Sequence, residues 1–233
     1  MGSTSINELF EVNLENNEIA FIYLGFAGII LRAKKKTIAI DIGEKCLNSR
    51  NIMEIKNLDI QLYSHTHWDH FDIDVTTKIF AHTNANIVAE PQVFEELKRI
   101  MTSEVSALHN AKPGETIILN GFEVAIVGGI HPRPISIFRI KWDNFSIFHG
   151  ADSGPVPLDN YPANVAFLPT GTPSPTCSPE NALKMAFDIK PRTIVTMHGS
   201  QKQMEKFKAI AKKKIPNVTV VIPKQNEVTK IIS

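Results

Sequence analysis

The chain is poor in the features that place many proteins at once. It has only two cysteines, Cys46 and Cys177, too few for a disulfide framework, so a reduced, cytoplasmic protein is expected. No apolar run approaches the roughly 20 residues of a membrane span. The opening residues carry no basic segment followed by an apolar one, so no secretory signal is expected. Lys plus Arg is 25 and Asp plus Glu is 24, a net charge of +1. That balance supplies no broad field for holding nucleic acid or an anionic membrane. The longest basic clusters, Lys34-Lys35-Lys36 and Lys212-Lys213-Lys214, are short and read as solvated turns and helix ends. There is no internal repeat, low-complexity segment or linker, and the 233 residues read as one domain, 1–233, able to bury a substantial core.

What is present is an alternation of short β-rich runs and a few helices. Residues 7–18 are polar and give little signal. Runs at 19–24, 28–32 and 37–42 are separated by gaps that suit hairpins. A fourth, 58–63, leads into the densest polar stretch of the chain. A short helix is expected over 72–80, a strand over 86–89, and a helix opened by Pro91 with Phe94, Leu97 and Met101 on one face. Asn120-Gly121 and Asp143-Asn144 each sit between two apolar runs and predict hairpins. A strand follows at 165–168. Ser178-Pro179-Glu180 is a helix start, with Ala182, Met185 and Ala186 inward. The strand at 193–197 precedes an amphipathic helix over 201–213 that turns Met204, Phe207 and Ala211 inward. Strands at 218–222 and 228–232 end the chain. Sheets with one apolar face must be covered, and this order fits an α+β, four-layer αββα sandwich.

The stretch that packing does not explain is Ser64-His65-Thr66-His67-Trp68-Asp69-His70-Phe71-Asp72. Three histidines and two carboxylates fall within nine residues, in the pattern His-x-His-x-Asp-His. Buried ionisable groups are costly unless paired or metal-bound, and imidazole with carboxylate suits zinc and neighbouring divalent metals. The stretch reads as half of a two-metal site. Other polar groups recur at strand ends, where catalytic groups commonly sit. His131 follows Gly128-Gly129, His198 follows the strand at 193–197, and Asp152 lies just beyond the strand at 145–148.

These residues resemble the metallo-β-lactamase-fold superfamily. Within it, the chain is most similar to the branch of L-ascorbate-6-phosphate lactonases and related metal-dependent hydrolases. The resemblance is carried by Tyr23-Leu24-Gly25-Phe26-Ala27-Gly28 with Ile40-Asp41, and by the histidine stretch with Trp68 before Asp69-His70. It continues through His131 and through Gly150-Ala151-Asp152-Ser153-Gly154, which resembles a Gly-Asp-Thr element with one alanine inserted. It closes with Leu168-Pro169-Thr170-Gly171, Thr176-Cys177-Ser178-Pro179-Glu180, Lys190-Pro191 and His198.

The resemblance implies that His65, His67 and His131 hold one metal, that Asp69, His70 and His198 hold a second, and that Asp152 bridges. Two ions about 4 Å apart can share a water and lower its pKa towards neutrality. Asp69 has a second implied role, orienting that hydroxide. The resemblance associates glutamate at the position of His67 with di-iron, oxygen-reducing members, so histidine there argues against redox chemistry. The implied cofactors are two divalent ions, zinc first, with manganese and iron as alternatives. The implied activity is hydrolysis of a small ester, lactone, amide or phosphoester. The alternatives are an RNA or DNA phosphodiesterase, disfavoured by the charge balance, and a non-catalytic metal-binding scaffold. The expected partner is a small molecule, anionic if Arg133 faces it; neither a membrane nor nucleic acid is expected, and a homo-oligomer stays open. Asp41 and Asp72 are candidates for outer support of the histidines, Asp72 equally for a helix cap. His149 is read as outer support or packing. Cys177 is read as a soft lining residue, a reactive thiol or an extra ligand. His82 and His109 are read as structural or exposed.

Overall fold

The structure is a computed structural model and describes residues 5–232. Residues 1–4, part of the segment searched for a secretory signal, lie outside the described residues. Two compact units divide the chain. One takes Met1–Ala111 with Lys224–Ile232, and the other Lys112–Pro223. Each is built on a seven-stranded sheet.

The first unit contains β1 (Glu18–Gly25), β2 (Gly28–Arg32), β3 (Thr37–Ile40), β4 (Ile60–Tyr63), β5 (Asn86–Ala89) and β6 (Leu108–Asn110). Its helices are α1 (Ser5–Glu11), α2 (Ser49–Met53), α3 (Ile73–Thr83) and α4 (Pro91–Lys98). β1, β2 and β3 pair antiparallel, as their short connections require. β3, β4, β5 and β6 are parallel neighbours, joined by crossovers that carry α2, α3 and α4. Ile6 and Leu9 of α1, Val75 and Ile79 of α3, and Val93 and Leu97 of α4 share a core with alternate sheet residues such as Ala20, Ile22, Ile30, Tyr63 and Ile87. That period-2 selection is what a pleated strand presents to a helical layer.

In the second unit, β7 (Thr116–Leu119), β8 (Phe122–Gly128), β9 (Ser136–Trp142) and β10 (Phe145–His149) form an antiparallel meander. β10 then pairs parallel with β11 (Val165–Pro169), followed by β12 (Thr193–Met197) and β13 (Thr219–Val221). The crossovers are α5 (Pro179–Ile189) and α6 (Gln201–Lys214). Asn120 and Gly121 have φ of 51° and 76°, the left-handed pair that a two-residue hairpin turn demands. Ser178 and Ser200 cap α5 and α6 through their side chains. Met185, Ala186, Phe207 and Ala211 pack on Phe148, Ala166, Leu168 and Ile194.

The structure corrects the sequence reading in places and adds to it in others. The polar start contains α1, which buries only Ile6 and Leu9, too thin a stripe to show as periodicity. The strand expected over 37–42 ends at Ile40, because Asp41 turns to φ 51° and draws a hydrogen bond from the Ser64 amide. The last strand, β14 (Val228–Ile232), is an edge strand of the first sheet beside β1. Asn226 N–H donates to the Tyr23 carbonyl, and the Gln225 amide to that of Leu24.

Phe207 is fully buried under the second sheet. Phe207→Ala should lower unfolding free energy by about 3–5 kcal/mol through lost burial and the cavity left behind. Denaturant unfolding followed by circular dichroism measures it.

Candidate metal centre

The first unit assembles its candidate ligands at one end of two neighbouring strands. β3 and β4 run parallel, with Ile40 opposite Leu62, so Asp41 and Ser64 emerge side by side. Asp41 is fully buried. Its Oδ1 accepts the Ser64 amide at 2.8 Å, and its Oδ2 accepts the Ser64 hydroxyl at 2.7 Å and His70 Nδ1–H at 2.8 Å. A hydroxyl has one proton, and that of Ser64 points to Asp41. The Ser64 oxygen therefore accepts from His65 Nδ1–H at 2.9 Å. Both rings carry their proton on Nδ1, which turns Nε2 into the lone-pair atom. One buried carboxylate, relayed through one hydroxyl, sets the tautomer of two histidines.

A tight turn gathers the rest of the motif. His70 and Phe71 both donate their amides to the His67 carbonyl. The His65 ring centroid lies 4.7 Å from that of His67 and 4.1 Å from that of His70. Asp69 Oδ2 is 3.6 Å from His70 Nε2. His65, His67, Asp69 and His70 each offer a ligand atom to a candidate metal-binding group. Gly43 lies hard against this turn: a Cβ there would stand 2.5 Å from the Trp68 carbonyl oxygen and the Asp69 carbonyl carbon. Trp68, 49% exposed, meets Phe26 edge-on at 5.4 Å, with Lys45 Nζ 4.9 Å from its ring centre.

The second unit brings His131, Asp152 and His198 together. Asp152 Oδ2 lies 3.3 Å from His131 Nε2 and 3.7 Å from His198 Nε2. A single carboxylate oxygen thus lies near two imidazole nitrogens. All three residues belong to candidate metal-binding groups. His198 follows β12 at φ 42° and its Nδ1 faces the Gly171 carbonyl at 3.4 Å. The extra alanine before Asp152 is absorbed by a left-handed turn, with Ala151 buried at φ 47°. Asp41, Ala151 and His198 thus share an uncommon backbone conformation just beyond strand ends, where strain accompanies function.

Further contacts hold these loops. Gly154 N–H donates to Ile130 O at 2.7 Å, and Ile130 N–H to Ser153 Oγ at 2.9 Å, which ties the His131 turn to the Asp152 turn. The Asp152 carbonyl accepts from the Ser174 hydroxyl at 2.8 Å, the Thr176 hydroxyl at 3.1 Å and the Cys177 thiol at 2.9 Å. Cys177 is therefore a donor that steadies Asp152, and burial pushes its thiol up to about 12. Burial likewise pushes Cys46 up to about 12. The donor set is imidazole and carboxylate without thiolate, which suits zinc, manganese or iron.

The remaining candidates have other duties. Asp72 caps α3 through the Val75 amide. His82 Nε2 meets the Ile55 carbonyl, and His109 Nε2 meets Asn86 Oδ1, with burial lowering the pKa of His109. His149 is buried at the end of β10, and its Nδ1 accepts the Ala151 amide at 3.3 Å. Arg133 is exposed, and its backbone amide donates to His131 Nδ1 at 3.2 Å. Ser64 is the relay, a role that the sequence motif alone does not assign; its place directly before His65, one strand away from Asp41, is the signal for it.

The chain belongs to the β-lactamase superfamily: that domain family matches residues 42–199, a span that includes all seven ligand candidates. Among its relatives is a UPF0173 metal-dependent hydrolase of Pelotomaculum thermopropionicum, 26% identical over 196 residues, covering 76% of this chain and 82% of that protein. Igni18, a metallo hydrolase of the hyperthermophilic archaeon Ignicoccus hospitalis, has a similar structure: TM-score 0.76 at 19% identity, over 93% of this chain and 99% of that one. The metallo-β-lactamase fold protein YhfI of Bacillus subtilis matches with TM-score 0.70 at 16% identity, over 92% and 100% of the two chains. The two seven-stranded sheets are those of the metallo-β-lactamase fold.

Asp41→Asn keeps a residue tolerant of the left-handed backbone but replaces a carboxylate oxygen by an amide in the relay. Metal affinity, read by competition with a chelator, should fall about 10- to 100-fold while circular dichroism is unchanged. For Cys177, alkylation in the folded protein should stay slow through neutral pH and rise only on approaching pH 12, since the thiolate is scarce below its raised pKa. Mass spectrometry of timed labelling across pH reads this directly.

Proposed function

We propose that the chain is a dinuclear metal-dependent hydrolase of a small ester, lactone, amide or phosphoester, its two units acting as one catalytic domain. The observation that carries the reading is the Asp41–Ser64 relay, which favours the tautomer of His65 and His70 whose Nε2 keeps a lone pair able to take a metal. The placing of Asp152 Oδ2 beside His131 and His198 supports it from the other unit. In this reading His65, His67 and His131 would hold one ion and Asp69, His70 and His198 the other, with Asp152 available to both. Such a pair, when bound, would supply Lewis acidity and lower the pKa of water at the site towards neutrality.

The chain's own groups do the rest. Asp69, buried within the motif turn, accepts a hydrogen bond from the attacking water and holds it in line with the substrate carbonyl or phosphoryl group. Trp68 offers an apolar face next to Asp69, and Lys45 over that ring favours substrates with an anionic group. The ligand set argues for zinc, with manganese and iron as the alternatives to be tried. The metal-dependent hydrolase from Pelotomaculum thermopropionicum supports hydrolysis as the reaction class.

Elemental analysis of the purified protein, joined to a panel of ester, lactone, amide and phosphodiester substrates in each metal, tests this. Two metal equivalents and turnover are expected, and both should vanish in His65→Ala and Asp152→Ala. Metal content and turnover that survive those substitutions, or a metal-loaded protein inert across the panel, would overturn the proposal.

A further inference from the structure

In the second unit one side chain ties the His198 turn to the loop that faces it. His198 Nδ1 points to the Gly171 carbonyl at 3.4 Å. A carbonyl only accepts, so Nδ1 carries the ring proton and Nε2 the lone pair. At 3.4 Å this bond lies at the edge of hydrogen-bond range, and a small retreat of Gly171 would end it. The placing of that one carbonyl therefore decides whether the ring is held.

The carbonyl of Gly171 and the amide of Thr172 are the two ends of one planar peptide. The Thr172 amide donates to Gln203 Oε1 at 3.2 Å, and the Thr172 hydroxyl to the same oxygen at 3.0 Å. Gln203 thus grips the far end of the peptide whose near end faces His198. An amide bonded in this way also polarises its own carbonyl into a better acceptor. The preceding peptide is fixed separately: Gly171 N–H donates to the His198 carbonyl at 2.8 Å, and Thr170 N–H to the same oxygen at 3.1 Å. Gln203 Oε1 is anchored in turn by the Ser200 amide at 3.0 Å, at the start of α6. Its two lone pairs match the two backbone donors, which cannot rotate away. The amide of Gln203 lies against Gly171, where a Cβ would stand 2.1 Å from Nε2. Ser200 and Gln203 form a capping box, but a box needs only those two residues. It does not account for the reach to Thr172, 31 positions away.

We propose that Gln203 is a positioning residue of the metal centre: by holding the Gly171–Thr172 peptide it keeps the His198 proton on Nδ1 and the Nε2 lone pair available to the second ion. The proposal rests on the reading of His198 as a metal ligand. Gln203 itself touches neither metal nor substrate and acts only through the peptide it holds.

The test is heteronuclear NMR of the histidine rings in the whole protein before and after zinc is added, joined to chelator competition for the second zinc equivalent. The His198 signals are assigned by their loss in His198→Gln. In the unaltered protein His198 should carry its proton on Nδ1, and its Nε2 signal should move when zinc binds. Gln203→Met keeps the length of the side chain and removes the acceptor; it should mix the two His198 tautomers and weaken the second zinc about tenfold. Gln203→Glu restores an acceptor oxygen and should return both readings to those of the unaltered protein. Ser200→Ala removes the helix cap, so it should lower the thermal midpoint and leave the His198 signals and the zinc affinity unchanged. The proposal is overturned if Gln203→Met leaves the tautomer and the second zinc as they were, if Gln203→Glu fails to restore them, or if Ser200→Ala reproduces the loss. A His198 Nε2 signal that ignores zinc in the unaltered protein is a separate failure: it removes His198 from the ligand set, and this proposal falls with that reading.

Discussion

The Asp41 carboxylate is the constraint on which the motif's chemistry depends. It is fully buried, and a buried charge is tolerated only when its acceptor sites are filled. Here they are filled by the Ser64 amide and hydroxyl and by the His70 ring. Because Ser64 has only one hydroxyl proton to give, its oxygen turns to His65. The requirement that one carboxylate be satisfied thereby decides which nitrogen of two histidines carries a proton. The parallel pairing of β3 and β4 makes this possible, since it places Asp41 and Ser64 at the same strand end although they are 23 positions apart in sequence.

The second unit uses a different device. Its ligand candidates do not come from one compact motif but from three separate strand ends, and each is held by its loop. His198 and Ala151 take left-handed backbone angles. The Asp152 peptide is fixed from behind by Ser174, Thr176 and Cys177. Close approach matters as well: a Cβ on Gly129 would meet Ser153 Oγ at 2.5 Å, so the turn before His131 requires a residue without one. Conformational cost is concentrated where ligands must be aimed, while the sheets and their helical layers stay regular.

Much of this could be read from residue order. The hairpins at Asn120-Gly121 and Asp143-Asn144, the capped starts of α5 and α6, and most strands follow from local chemistry. The ligand candidates stood out because histidine and aspartate at strand ends have no packing explanation. Other features were hidden for physical reasons. α1 is seven residues long and α2 five, so neither is long enough to show a periodicity. The pairing of β14 with β1 joins the two ends of the chain, which no local pattern encodes. The relay through Ser64 needs both a register and a rotamer.

The most direct measurement of the central claim is anomalous diffraction from crystals of the metal-loaded protein, recorded at the edge of the bound metal. The account predicts two peaks about 4 Å apart, with Nε2 of His65 and of His70 as ligand atoms and their Nδ1 groups still directed at Ser64 and Asp41. A single peak, or ligation through Nδ1 of either ring, would contradict it.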